Sequence, residues 1–412
     1  MLVDRSSQKV AVVLPCLNER EAVGLCVRQA REALAAGGLG GEVIVVDNGS
    51  TDGSAEVAAA AGARVLTEDR RGYGRALRTG FEHADADVVV MADADGTYDL
   101  SKLPQLVRPV LDGDADMALA TRLDGATRES MPLLHRYLGT PVITFLTSRA
   151  CGRKVTADSQ TGYRAFRRDR MLGLGLRSDG MELASEMLIK AARGGLRIRD
   201  IEGGYAPRIG ESKLDTWSDG WRHLMLIVLL APDLLLIGPG SVLAAAGLAA
   251  LGLTFAQPQG VDIGSARWQP VFFSGIALVL GVQALLGGAI LANASPVAPR
   301  SRRRFAFLDD PRLPRRALAL GVVAILCGLA IDVALFLAWW SDTSSPPTTG
   351  VAFGFASLAQ ILLILGGTVA LSGVIARFVR RNGAPGPSPR ADATDLEARP
   401  PATGQGAVST SA

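Results

Sequence analysis

Four apolar segments dominate the second half of this sequence: Leu234 to Ala256, Trp268 to Leu291, Ala317 to Trp340 and Val351 to Phe378. Each runs about 23 to 28 residues, long enough to cross a hydrocarbon layer of about 30 Å as a helix. Only Asp332 puts a formal charge inside them before the last turn. A helix in water needs a polar face, and these have none, so residues 234–381 are expected to form an all-α transmembrane domain of four helices. Basic residues orient it. Asn293 to Arg316 holds seven arginines against two aspartates, and Arg377, Arg380 and Arg381 follow the last segment, whereas the other two connections hold one basic residue between them. The arginine-rich sides are therefore expected to face the cytoplasm, with both termini inside at the cell membrane.

Before Trp217 the pattern changes. Short apolar runs alternate with helical patterns: Val10 to Leu14 then Glu21 to Ala36, Val43 to Val46 then Ser54 to Ala61, Val65 to Leu66 then Gly74 to Ala84, and Val88 to Ala92 then Leu103 to Leu111. That alternation predicts an α/β domain, Rossmann-like, with a mostly parallel sheet over residues 1–216. Residues 217–233 mix Trp217, Trp221, Arg222 and apolar positions, as an amphipathic interfacial helix does. Residues 382–412 are rich in Pro, Gly, Ala and Ser without periodicity and read as a disordered tail. The net charge of +3 gives no reason to expect nucleic acid as a partner. The four cysteines lie far apart without a C-x-x-C pair, which argues against a disulfide framework or zinc site. Val10 to Leu14 is too short for a signal-peptide core.

Three stretches could carry chemistry. In V-I-V-V-D-N-G-S-T-D-G-S (Val43 to Ser54), Asp47 ends an apolar strand where open α/β sheets bind ligands and could reach a base or ribose. Equally, Asp47, Asn48 and Gly49 could simply turn the chain, with Asp52 or Ser54 capping the next helix. Asp93 and Asp95 flank Ala94 after a five-residue apolar run, and two carboxylates so placed suit a hard divalent cation that neutralises a diphosphate. Other D-x-D spacings, such as Asp85/Asp87 and Asp112/Asp114, follow no such strand and read as solvated turns. Arg70 to Gly80 (R-R-G-Y-G-R-A-L-R-T-G) leads through glycines into a helix with several guanidinium groups. It suits phosphate or else forms a solvated face. Further on, Arg208, Ser212 and Lys213 stand just before the membrane, placed for an anionic lipid head group or as ordinary juxtamembrane charge.

Taken in order, L-P-C-L-N-E (Leu14 to Glu19), V-V-D-N-G-S-T-D-G-S, G-Y-G-R-A-L-R-T-G-F, D-A-D-G-T-Y, D-S-Q-T-G-Y-R-A-F-R (Asp158 to Arg167) and R-I-G-E-S-K-L (Arg208 to Leu214) resemble family 2 glycosyltransferases with the GT-A fold. They are most similar to polyprenol-phosphate glycosyltransferases of the dolichol-phosphate-mannose synthase type. The resemblance spans about residues 8 to 230. It implies that Pro15, Asn18, Glu19, Asp47, Gly72, Gly74 and Arg78 hold a UDP- or GDP-sugar donor. It also implies that Asp93 and Asp95 bind Mg²⁺ or Mn²⁺ and that Asp158 lies by the reacting sugar. Arg122, Arg208, Ser212 and Lys213 would then meet the acceptor phosphate. Three positions depart from the pattern: Asp47-Asn48 replaces an acidic pair, Thr161-Gly162 a Ser-Gly, and Ala120-Thr121-Arg122 a Gly-Ser-Arg.

A lipid phosphate also makes chemical sense as acceptor. Its second pKa is about 6, so it is largely a dianionic nucleophile at neutral pH and needs positioning and cations rather than a base. An acceptor hydroxyl would need a base, for which His83, His135 and His223 stand in no recognised motif and Asp158 is the fallback. The sequence thus predicts a membrane-bound inverting transferase with nucleotide sugar, polyprenyl phosphate and membrane as partners, and is compatible with a homo-oligomer. The alternatives are a processive polysaccharide synthase, which lacks its Q-x-x-R-W motif here, and a non-catalytic lipid-transport or scaffold module. Asp332, at membrane depth, is expected to face other helices or a wet cavity in a packing or lipid-passage role rather than to take part in the transfer; the alternative is a neutral Asp hydrogen-bonded to a Ser, Thr or Gln, with Gln283 and Gln360 as candidate partners.

Overall fold

The computed structural model describes residues 9–122, 139–210, 216–294, 310, 312–341 and 350–382. Ser212, Lys213, His135, most of the arginine-rich 293–316 connection and the tail beyond Asn382 lie outside these described residues.

Strands β1 (Lys9–Cys16), β2 (Gly40–Asp47), β3 (Arg64–Thr67) and β4 (Val88–Met91) alternate with helices α1 (Arg20–Ala36), α2 (Ser54–Ala60) and α3 (Tyr73–His83), as the hydrophobic pattern predicts. Helix α4 (Leu103–Leu111), β5 (Met117–Thr121), α5 (Thr140–Cys151), β6 (Arg164–Arg167), α6 (Arg168–Leu172), α7 (Leu183–Arg193) and β7 (Ile198–Glu202) follow. The seven strands form one sheet in the order β3-β2-β1-β4-β6-β5-β7. Only β6 runs antiparallel to its neighbours β4 and β5.

Val10 to Leu14 have no exposed surface, because the sheet is covered on both faces and leaves β1 no polar side. Val10, Val12 and Leu14 pack with Val23, Val27, Leu103 and Leu106 on one face. Ala11 and Val13 pack with Leu77, Phe81, Met187 and Leu188 on the other. Helix α3 lies so close to β1 that a Cβ on Gly80 would come within 2.3 Å of Val13 Cγ1. Gly80 is thus a packing residue of the Arg70 to Gly80 stretch.

Helix α8 (Thr216–Leu230) falls on the predicted interfacial segment and ends before Pro232, whose ring lacks the N–H a helix needs. Its Trp221, Met225 and Leu229 are exposed at four-residue spacing, while His223, Ile227 and Leu230 are buried. One side of the helix is therefore an open apolar stripe and the other a packed face.

A π-helical turn (Asp233–Ile237) leads into α9 (Gly238–Ala256). A small hairpin, β8 (Val261–Ile263) and β9 (Ala266–Trp268), joins α9 to α10 (Pro270–Ala294). Helices α11 (Leu313–Ser341) and α12 (Val351–Asn382) follow. The four apolar spans are Asp233–Ala256, Pro270–Asn293, Leu313–Ser341 and Val351–Phe378, with mean hydropathy 2.0 to 2.6. They agree with the predicted segments to within a few residues.

Helix α9 packs on α10, α10 on α12 and α12 on α11. Glycines allow the close approaches. A Cβ on Gly247 would meet the Leu278 backbone at 2.4 Å, one on Gly281 the Ala244 backbone at 2.3 Å, and one on Gly321 the Gly366 carbonyl at 2.4 Å. Such contacts between small residues are how helices associate where lipid removes the hydrophobic drive. Leu320, Val323 and Leu326 point outward, which is costly in water and neutral in lipid.

Among the described residues the alternative pairing of Asp332 with Gln283 or Gln360 is not formed. Gln283 donates instead to Thr368 Oγ1 at 3.4 Å, Gln360 is exposed, and none of the described hydrogen bonds involves Asp332. Because α11 rests on α12 through Gly321, we expect Gly321→Leu to force the pair apart at a cost of about 1–3 kcal/mol. The measurement is the thermal midpoint and monodisperse yield in detergent, with Leu320→Ile on the exposed side as a control that leaves both unchanged.

Candidate active site

The parallel strands β1, β2 and β4 end along one edge of the sheet, with Cys16 in register with Asp47. The loops that follow them converge there, where open α/β sheets place their ligands.

The loops after β1 and β2 are stitched together. Asn18, in a left-handed conformation (φ 53°), donates its backbone N–H to Ser50 Oγ at 2.9 Å. Its Oδ1 accepts the Thr51 N–H at 2.8 Å. The Glu19 N–H reaches Ser54 Oγ at 2.9 Å. The carboxylate of Asp47 accepts the N–H groups of Gly49 and Ser50 at 3.2 Å, so Asp47 both makes the turn and stands at the strand end. The two readings of the segment are therefore compatible.

Asn48 explains one departure from the family pattern. Its Nδ2 donates to the carbonyls of Glu68 and Arg70 at 2.8 and 2.9 Å, and its Oδ1 accepts the Gly72 N–H at 2.7 Å. An aspartate could accept the third bond but not donate the other two. The amide thus ties the β3–α3 loop to β2.

Asp93 and Asp95 follow β4. Asp93 Oδ1 accepts the Tyr73 hydroxyl at 2.7 Å. Gly162 approaches its other oxygen so closely that an added Cβ would lie 2.8 Å from it. Burial, and then the charge of Asp95, push the Asp93 carboxyl up to about 7. Asp95 Oδ1 accepts the backbone and hydroxyl of Thr97 at 3.1 and 2.7 Å, and its Oδ2 accepts from Arg208 at 3.2 Å. Arg208 also pairs with Glu19, and so bridges the β1 and β4 loops. The Ile209 and Ala206 N–H groups donate to the carbonyls of Asp95 and Thr97 at 3.0 and 2.9 Å, which lays residues 206–209 along the D-A-D-G-T loop.

Among the described residues no cluster of three or more His, Cys, Asp or Glu could hold a metal alone. The two carboxylates nonetheless fit a hard cation whose remaining positions go to water and a diphosphate, because all their donors are oxygens and their mutual repulsion is incompletely offset.

Asp158 is fully buried and bound by Arg122 at both oxygens, Nε to Oδ2 at 2.7 Å and Nη2 to Oδ1 at 2.9 Å. The backbone N–H groups of Gln160 and Arg122 add two further donors at 3.0 and 3.3 Å. Burial alone would raise this carboxyl, but Arg122 outweighs it and holds Asp158 below its ordinary value. The guanidinium of Arg122 sits over the Tyr205 ring, 5.4 Å from its centroid.

The glycine and arginine stretch has an internal partner. The Gly74 and Arg75 N–H groups donate to the Asp179 carbonyl at 2.9 and 3.2 Å, and Arg75 and Arg78 both pair with the Asp179 carboxylate. A Cβ on Gly72 would lie 2.4 Å from the same carbonyl. The start of α3, which the sequence reads as suiting phosphate or as a solvated face, is capped in this structure by the 177–180 loop.

Residues that the sequence reading did not single out complete the site. Tyr73 holds Asp93, Tyr98 accepts the Gly162 N–H at 2.6 Å, and Arg164 is fully buried. Arg164 donates to the carbonyls of Thr161, Ala184 and Ser159. Nothing in the motif Y-R-A-F foretells a buried arginine.

The low-salt glycan biosynthesis hexosyltransferase Agl6 of Haloferax volcanii is 36% identical over 357 residues, 86% of this chain and 85% of that one. This chain belongs to glycosyl transferase family 2. The description of that family, Glycosyl transferase family 2, matches residues 11–170, which hold Asp47, Asp93, Asp95 and Asp158. A dolichyl-phosphate hexose transferase of the same organism is 34% identical over 211 residues, 51% of this chain and 89% of that one. Among solved structures, a Mycobacterium tuberculosis glucosyl-3-phosphoglycerate synthase in complex with Mn²⁺, UDP-Glc and phosphoglyceric acid covers 55% of this chain and 80% of its own, at 22% identity and TM-score 0.43. By that family and relative the chain is a glycosyltransferase, and its mostly parallel seven-stranded sheet domain is followed by four long apolar helices. The non-catalytic alternative is set aside.

Breaking the Asp158–Arg122 pair leaves a buried guanidinium without its counter-charge. We expect Asp158→Asn to cost about 3–5 kcal/mol of stability, read as a lower denaturation midpoint at pH 7. A carboxyl with a depressed pKa contributes stability above its unfolded pKa, and that contribution fades as acid protonates it. The gap between wild type and Asp158→Asn should therefore narrow below about pH 4. A gap that stays constant with pH would remove the ion pair as its cause.

Proposed function

We propose that this glycosyltransferase moves a sugar, with inversion, from a nucleotide diphosphate sugar to a polyprenyl phosphate at the cytoplasmic face of the membrane. The observation that carries the reading is the state of Asp158. A carboxylate buried, ionised and held at both oxygens by Arg122 has little capacity to take a proton from an acceptor hydroxyl. What the pair offers instead is an oriented guanidinium, which suits an acceptor that is already anionic. His83 lies exposed on α3 and His223 is buried away from solvent, so neither replaces Asp158 as a base.

Other features agree. Asp93 and Asp95 would hold Mg²⁺ or Mn²⁺, which when bound neutralises the departing nucleoside diphosphate. Asp47, Asn18 and Glu19 line the sheet edge on the donor side, and Arg208, between Glu19 and Asp95, stands where donor and acceptor phosphates would meet. Ser212 and Lys213, outside the described residues, follow Arg208 in the sequence and are assigned to the acceptor. The four spans and the exposed stripe on α8 keep the site near lipid, and the arginine-rich connections orient it to the cytoplasm. The relatives named hexosyltransferase and dolichyl-phosphate hexose transferase support the same class of reaction.

The test is transfer from UDP- and GDP-sugars to polyprenyl phosphate in membranes. We expect a lipid-linked sugar from at least one donor, its loss in excess chelator, and a fall of roughly a hundredfold or more in Asp95→Asn with folding intact. Full activity in chelator would remove the metal, and transfer only to a sugar hydroxyl would overturn the acceptor.

A further inference from the structure

The loop Asp158 to Gly162 is fastened at its middle to the helix that leads into the membrane. The Gln160 side-chain N–H₂ donates to Ser159 Oγ at 3.0 Å and to Ser185 Oγ at 3.1 Å. Ser185, fully buried on α7, lies 3.1 Å from Nδ1 of His223 on α8. Gln160 occupies one of the two acceptor sites of Ser185, and the serine hydroxyl hydrogen is available to His223; when Ser185 donates, Nδ1 accepts and the ring proton sits on Nε2. Burial, and then the charge of Arg164, lower His223 to about 4, which agrees with a neutral ring.

His223 is the polar member of the packed face of α8, beside Ile227 and Leu230, which join Ala150 of α5 and Ile189 of α7 in one apolar cluster. Arg193 of α7 donates to the carbonyls of Ala150 and Leu230 and so fixes the ends of α5 and α8 together. The opposite side of α8 is the exposed stripe of Trp221, Met225 and Leu229. The helix therefore joins a lipid-facing surface to the loop through three side chains. At the two ends of that loop Asp158 holds Arg122 and Gly162 abuts Asp93.

We propose that His223 is a positioning residue, through which the seat of α8 sets the Asp158 to Gly162 loop by way of Ser185 and Gln160. Catalytic competence then depends on how the domain is attached to the membrane, although His223 touches no substrate. The proposal rests on the reading that places Arg122 and Asp158 at the acceptor.

The experiment uses the full chain in nanodiscs of phosphatidylcholine and phosphatidylglycerol. Asparagine can offer an acceptor near the position of Nδ1, whereas alanine cannot. For His223→Ala we expect faster amide exchange over residues 156–164, unchanged exchange in α1 to α4 and unchanged nucleoside diphosphate affinity. Its kcat should fall about tenfold, the order of one lost hydrogen bond to a neutral group. His223→Asn should restore most of both quantities, and Ser185→Ala should reproduce the alanine phenotype if His223→Ala folds poorly. The amide-exchange readout needs no acceptor, so a failure of the wild type to glycosylate polyprenyl phosphate would count against the proposed reaction and leave this test standing. Wild-type exchange and kcat in both His223→Ala and Ser185→Ala would overturn the proposal. So would an asparagine variant no better than alanine, since simple packing would then explain the loss.

Discussion

Two carboxylates held a residue apart at the end of a buried strand repel one another, and much of the surrounding chain is arranged around that repulsion. Tyr73 reaches from the first turn of α3 to Asp93, and Thr97 and Arg208 take up Asp95. Arg208 must in turn be carried there, which lays residues 206–209 over the D-A-D-G-T loop and brings Glu19 into the same contact. A Cβ on Gly162 would lie 2.8 Å from an Asp93 oxygen, so a side chain there would have to displace that carboxylate. The repulsion that remains is what a divalent cation and a diphosphate would be matched to.

The membrane part follows a different economy. Its helices carry leucine, valine and phenylalanine outward and spend glycines on one another, the reverse of a soluble bundle. Among the described residues nothing there resembles the polar network around Asp158. The two halves meet through α8, whose packed face belongs to the catalytic domain and whose open face is suited to lipid.

The alternation of β1 to β4 with α1 to α4 was legible because period-2 and period-3.6 patterns survive in single stretches of sequence, and the four spans because length and hydropathy decide them. Asp93 and Asp95 stood out from other D-x-D spacings because a fully apolar strand precedes them. The antiparallel β6 did not stand out, since R-A-F-R is too short to show a period and its direction is set by its neighbours. The capping of α3 by Asp179 was equally hidden, because the partner lies about a hundred residues away and only the fold brings it near. Asp158 was found by resemblance, but its commitment to Arg122 became visible only with both side chains in place.

Asn48 has a chemical consequence of its own. It is followed by Gly49, the pairing in which an asparagine side chain is most readily attacked by the next backbone nitrogen to give a cyclic imide and then aspartate or isoaspartate. In the folded chain the Gly49 nitrogen donates to Asp47, while the Asn48 amide is held by Glu68, Arg70 and Gly72, so attacker and target are both restrained. Unfolding releases them together. Time spent unfolded would therefore be recorded as a permanent negative charge beside Asp47, and a chain so aged would return without the two donors that hold its β3–α3 loop.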